Sequence, residues 1–148
     1  MKCIVTGAAG FIGSHLVDRL VQDGHQVYAI DNFSTGSRKN LKKSLKKIKI
    51  KNIDIKNLEK LKKISFFQKA NWIFHLAGLA DIVPSINKPV DYFDSNVKGT
   101  LNILEVSKKK NLKKFIYAAS ASCYGVPKNF PTDEESNVDT KYPYALTK

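Results

Sequence analysis

Three glycines spaced GxxGxxG, in Gly7-Ala8-Ala9-Gly10-Phe11-Ile12-Gly13, stand directly after the short apolar run Lys2–Thr6. No other feature limits the fold as tightly. A strand that ends in such a turn bends sharply and lets backbone approach an anion. The third glycine lets the following helix pack closely on the strand. The helix start offers free N–H groups and the positive end of its dipole, which suits a pyrophosphate. From Phe11 to Asp23 the residues Phe11, Ile12, His15, Leu16, Arg19 and Leu20 fall near helical spacing, and Gly24 closes the helix. Gln26–Ile30 reads as a second strand ending at Asp31. Strand, turn, helix and strand in this order form the βαβ unit of a parallel sheet.

The remainder alternates in the same way. Asn32–Lys43 is a polar loop, and Ile48–Ile55 a third strand whose alternation predicts a half-exposed position near an edge. Leu58–Lys69 reads as one basic amphipathic helix and Trp72–Leu76 as a fourth strand. Pro84 and Pro89 punctuate a loop, and Asp91–Lys109 is a long helix with Phe93, Val97, Leu101, Leu104 and Val106 on or near one stripe. Lys113–Ala119 is a fifth strand, Ser120 to Tyr142 mostly loop, and Tyr144 falls in the first turn of a last helix. The pattern predicts one α/β domain over residues 1–148, a doubly wound parallel sheet of the Rossmann type. Its ligands are expected at the carboxyl ends of the strands.

Asp31 ends the second strand, 18 residues after Gly13. A carboxylate there accepts hydrogen bonds from ribose hydroxyls and repels a 2′-phosphate, which favours NAD over NADP. The alternative is that Asp31 caps the loop Asn32-Phe33-Ser34. Cys3 and Cys123 match no metal spacing and read as reduced thiols, so no metal site is expected. No apolar run approaches the roughly 20 residues that span a membrane, and the chain start lacks a leader pattern. Both predict a cytoplasmic protein without a membrane partner. The net charge of +12 raises a nucleic-acid reading. Only Arg19 and Arg38 are arginines, however, and lysine lacks the planar fork of base readout. The lysines of 39–63 interleave with apolar residues as solvated faces do, so no nucleic-acid partner is expected.

Six segments in order resemble the extended short-chain dehydrogenases/reductases, the nucleotide-sugar epimerase/dehydratase group. They are Thr6–Leu16, Asp31–Gly36, His75-Leu76-Ala77-Gly78, Asn96-Val97-Lys98-Gly99-Thr100, Tyr117–Gly125 and Tyr142–Lys148. The resemblance implies that Gly7, Gly10, Phe11, Ile12 and Gly13 line the pyrophosphate of NAD. It places Asp31 and Asn32 at the adenosine ribose, Asp54 and Ile55 beside the adenine, and Leu76, Ala77 and Gly78 along the cofactor. Asn96 is the group's structural, cofactor-side asparagine, and His75 reads as a fixed strand-end residue rather than a base.

Tyr144 and Lys148 are four apart, so on a helix they share a face. A phenol ordinarily ionises near pH ~10, and an ammonium together with a nicotinamide cation favours the phenolate. By the resemblance Tyr144 is then the base that takes a sugar hydroxyl proton, Lys148 its electrostatic partner, and Ser120 a hydrogen-bond donor to the same oxygen. Relatives that eliminate water carry acidic residues after the serine; here Ala121 and Ser122 stand there. This implies NAD-dependent epimerisation of a nucleotide sugar, a UDP-hexose at C4. A reductase or dehydratase of the same group, an inactive NAD-binding fragment, and a basic nucleic-acid module are the alternatives. Members of the group run to about twice this length and are homodimers. The expectation is therefore a Rossmann domain truncated after its fifth strand, with the substrate domain missing, binding NAD weakly and turning nothing over alone.

Overall fold

The computed structural model describes residues 1–108, 112–127 and 129–148. Five parallel strands form one sheet in the order β3-β2-β1-β4-β5. The strands are β1 Lys2–Thr6, β2 Gln26–Asp31, β3 Lys49–Asn52, β4 Trp72–His75 and β5 Lys114–Tyr117. Helices α1 Phe11–Gln22, α2 Leu58–Lys62, α3 Ile82–Asn87, α4 Pro89–Tyr92, α5 Gly99–Val106 and α6 Pro143–Leu146 connect or follow them. This is the predicted doubly wound sheet, with β1 at its centre and β3 at one edge. No helix of the described residues is long and apolar enough to cross a membrane.

The period-2 alternation of β1 builds both halves of the core. Cys3 and Val5 face one way and pack with Val17 and Leu20 of α1, Val27, Ala29 and Leu41. Ile4 faces the other way, toward Leu61, Phe66, Phe67, Ile73, Ile103 and Val106. The strand is fully enclosed because its pairing partners β2 and β4 cover both edges.

Three segments depart from the sequence pattern. The helix expected over Leu58–Lys69 stops at Lys62 and resumes as a 3₁₀ turn, Ser65–Lys69, after an extended Ile64. Ile64, Phe66 and Phe67 are all buried, and the extended backbone at Ile64 re-aims the chain so that all three reach the core. The loop expected around Pro84 contains α3, with Pro84 in its first turn, where a missing N–H costs no hydrogen bond. The long helix expected from Asp91 begins at Pro89 and runs to Val106 through a π-helical turn, Phe93–Lys98. Its predicted end at Lys109 lies outside the described residues.

That long helix also turns three residues of its apolar stripe outward, while Val106 at its end packs in the core. Phe93, Leu101 and Leu104 are 53, 60 and 41% exposed. Tyr92, Asn96, Gly99, Asn102 and Ile103 are buried instead. The asparagines win the inner face because loop backbone there lacks partners. Asn102 Nδ2 donates to the carbonyls of Ile55 and Lys56, and Asn96 pairs with Leu79 through both its amide oxygen and its nitrogen. Gly99 leaves room for Ile55, whose Cδ1 would lie 2.6 Å from a Cβ at that position.

Candidate active site

An open groove runs across the carboxyl ends of β1, β2 and β4. The turn after β1 forms its base. Gly7 has φ +66°, and a Cβ there would stand 2.7 Å from the Ala77 nitrogen. A Cβ on Gly13 would fall 2.1 Å from the Gly7 carbonyl oxygen. The turn, the start of α1 and the strand-four loop are thus packed backbone on backbone, and only hydrogen fits between them. The first turn of α1 carries no acidic side chain, so the helix dipole meets the groove uncancelled.

Asp31 is buried and already engaged. Its Oδ2 accepts the Ala9 N–H at 2.8 Å and its Oδ1 the Phe33 N–H at 2.7 Å. The loop-cap reading holds, and it leaves room for a ligand role, since an ionised carboxylate oxygen that accepts one N–H can accept a second donor. Asn32 donates to Asp54 at 3.0 Å, while its Oδ1 accepts from the Ser34 N–H and hydroxyl. Asn32, Asp54, Ile55, Leu76, Ala77 and Gly78 all line the groove, with Gly7, Gly10 and Asp31. Phe11, Ile12, Gly13 and Asn96 do not. Phe11 and Ile12 are exposed at the start of α1, Gly13 is buried behind the turn, and Asn96 is buried beneath the strand-four loop.

Ile30, Ser34, Thr35, Ile53, Leu79 and Ser95 also line the groove, and the sequence reading gave them no site role. It gave none to Gly36 either, where a Cβ would meet the Ala9 carbonyl carbon at 2.7 Å. The signal was present in Ser34-Thr35-Gly36, but only the fold shows that this loop lies on the glycine turn. Ser37 N–H and Asn40 Nδ2 both donate to the Ala9 oxygen, at 3.0 and 2.8 Å.

His75 is fully buried between two hydroxyls, with Nδ1 2.6 Å from Thr6 Oγ1 and Nε2 2.9 Å from Thr100 Oγ1. Burial, and then the charge of Lys148, pushes its pKa down to about 4. A folded value below the unfolded ~6.5 means that the unfolded chain binds the extra proton first. The stability is fully present above pH ~6.5 and is lost as the pH falls toward 4. Urea unfolding should therefore show about 2 kcal/mol less stability from this group at pH 5 than at pH 7.5, with His75→Gln removing that part of the slope. An identical slope in the variant would refute the assignment.

The proposed catalytic residues come from three elements. Tyr144 lies on α6; its N–H donates to Ser85 Oγ at 3.1 Å, and its ring meets Tyr92 edge-on with centroids 6.4 Å apart. Ser120 ends the loop after β5, where its Oγ accepts the Ser122 N–H at 3.2 Å. Lys148 follows α6, whose last turn is held by Thr147 N–H on the Pro143 carbonyl, the Thr147 hydroxyl on the Tyr144 carbonyl and Lys148 N–H on the Ala145 carbonyl. The Lys148 ammonium lies 4.9 Å over the Tyr117 ring, and a Cβ on Gly78 would be 3.9 Å from it. Burial lowers its pKa. Asn96 Nδ2 reaches Thr147 Oγ1 at 3.1 Å, so one buried amide ties the strand-four loop to the turn that carries Lys148.

Comparison with known proteins agrees with this geometry. A profile described as the NAD dependent epimerase/dehydratase family matches residues 3–148. UDP-glucose 4-epimerase 2 of Arabidopsis thaliana is 34% identical over 98% of this chain and 43% of its own length. The crystal structure of Thermotoga maritima UDP-glucose 4-epimerase with UDP-glucose superposes with a TM-score of 0.92 at 35% identity, over 100% of this chain and 48% of that one. The Bifidobacterium longum UDP-glucose 4-epimerase in complex with NAD+ and UDP gives 0.92 at 33%, over 100% and 46%. The chain spans less than half the length of these relatives.

Proposed function

This chain belongs to the NAD dependent epimerase/dehydratase family, and we propose that it supplies the cofactor cradle and proton-transfer residues for epimerising a UDP-hexose at C4. The observation that carries the reading is the glycine cradle opening on a groove edged by Asp31. The site fits NAD on its own terms: space only hydrogen can fill at Gly7 and Gly13, an uncancelled helix start, and a carboxylate with free lone pairs. Gly7 and Gly10 would hold the pyrophosphate, Asp31 and Asn32 the adenosine ribose, and Asp54 and Ile55 the adenine. Bound NAD supplies the hydride acceptor and donor for a sugar carbon.

The chain's own residues handle the proton. Tyr144 Oη takes the proton of the C4 hydroxyl and returns it after the sugar has turned over. Ser120 donates to the same oxygen as it becomes a carbonyl, and Lys148 holds positive charge nearby. Ala121 and Ser122, where a carboxylate would be needed for elimination, leave oxidation and reduction at one carbon as the chemistry. The exposed face of Val90, Phe93, Leu101 and Leu104 fits a second copy of the chain, as the family resemblance implies.

Fusion of these residues to the rest of the Thermotoga maritima relative tests the reading. The chimera should interconvert UDP-galactose and UDP-glucose by proton NMR, and Tyr144→Phe should lower kcat by at least ~10²-fold. The 148 residues alone should bind NAD and convert nothing. A chimera that folds and binds NAD yet converts neither sugar would overturn the epimerase assignment.

A further inference from the structure

Residues 38–63 hold twelve of the chain's 25 Lys and Arg and two of its 13 Asp and Glu, so ten of its twelve net positive charges lie in 26 residues. The fold concentrates them further. This segment forms the sheet edge β3, the 3₁₀ turn Arg38–Leu41 before it and α2 after it. All twelve cationic side chains are exposed, while Leu41, Ile55 and Leu61 turn into the core. The acids are already used: Asp54 pairs with Lys56 and Glu59 with Lys62. Among the described residues β3 pairs with β2 alone, so its outer edge is uncovered.

A second feature lies within this patch. Between β3 and α2 is an open recess lined by Tyr28, Ile53 and Phe66 together with Lys51, Lys60 and Lys63. Lys49, which shares a strand face with Lys51, stands 5.5 Å over the Tyr28 ring. An apolar, aromatic recess ringed by point charges takes a planar apolar group attached to phosphates.

We propose that this edge binds single-stranded nucleic acid without sequence preference. The lysines meet phosphates, and the recess takes the edge of a base. The charge wraps around a sheet edge, which a flexible strand can follow and a stiff duplex cannot. A lipid surface fits less well, because Leu45 is the only large apolar side chain exposed within the patch. The lysine excess, which argued against base readout, is no obstacle to sequence-independent phosphate contact, where each ammonium serves as a point charge. This site adjoins the NAD groove at Ile53, which lines both, and binding there does not depend on the epimerase reading.

Fluorescence anisotropy with a labelled 20-mer of oligo(U) tests it. Neutralising about five phosphates should cost about a hundredfold in affinity between 50 and 200 mM KCl. The quadruple variant Lys49→Gln, Lys51→Gln, Lys60→Gln, Lys63→Gln should weaken binding more than tenfold and flatten the salt dependence. Removing the same charge elsewhere, with Lys88→Gln, Lys98→Gln, Lys113→Gln and Lys141→Gln, should change affinity less than threefold. Melting curves establish that both variants fold; should the first fail, Lys60→Gln on α2 with Lys63→Gln just past its end, both exposed, repeats the comparison. Equal losses in patch and control variants would overturn the proposal. So would equal affinity for poly-glutamate or phosphatidylserine vesicles, or no binding at 50 mM KCl.

Discussion

Asp31→Arg should lower the affinity of the chain for NAD by at least a hundredfold, measured by calorimetric titration of the 148-residue protein. Two losses combine. The carboxylate oxygens that accept from Ala9 and Phe33 at 2.8 and 2.7 Å disappear, so the glycine turn and the loop after β2 are no longer held together. The acceptor for the ribose hydroxyls disappears with them. Hydrogen bonds to a charged group contribute roughly 1.5–3 kcal/mol each, so the loss of one ligand contact and some pre-organisation comes to about 3 kcal/mol. Asp31→Asn keeps the shape and one acceptor oxygen, and should cost about tenfold. A folded Asp31→Arg protein that binds NAD as tightly as the parent would remove Asp31 from the site.

Gly13→Ala should destabilise the fold by about 3 kcal/mol, near the upper end for adding one carbon to a packed interior. The new methyl would lie 2.1 Å from the Gly7 oxygen and 2.9 Å from Ala8 Cα. Both neighbours are backbone of the turn, so no flexible side chain can swing away. Either α1 lifts off β1 or the turn opens, and NAD affinity falls with either. Gly24 provides the contrast. It has φ +76°, but nothing lies within 4 Å of a Cβ there. Gly24→Ala should cost only the left-handed backbone penalty, about 1 kcal/mol. Chemical unfolding of both variants ranks them, and the reverse order would show that the close approach at Gly13 is relieved cheaply.

The cofactor side of the site was legible because it depends on local order. A glycine turn between a strand and a helix, and an acid at the end of the next strand, are fixed by positions close in the chain. The groove accordingly contains Gly7, Gly10, Asp31, Asn32, Asp54, Ile55, Leu76, Ala77 and Gly78. Gly36 was less legible, since its constraint comes from Ala9, 27 positions earlier. The catalytic side was read from spacing and resemblance, and spacing does not supply the ammonium's neighbour: Lys148 stands over the ring of Tyr117, which comes from the distant strand β5.

The sequence by itself determined the parallel α/β order, the glycine cradle and the acid at its edge, because each follows from backbone sterics or from period-2 and period-3.6 patterning over a few residues. Only the tertiary structure decided which face of the central helix is buried. Counting apolar residues chose Phe93, Val97, Leu101, Leu104 and Val106; of these the fold buries Val106, and it leaves Phe93, Leu101 and Leu104 exposed while burying Asn96, Gly99 and Asn102. The reason is that unpartnered backbone of distant loops, at Ile55, Lys56 and Leu79, needs those amides, and an unsatisfied buried carbonyl or N–H costs more than an exposed leucine. The same fold gathered the lysines of 38–63 on one sheet edge, where a scattered composition became a surface.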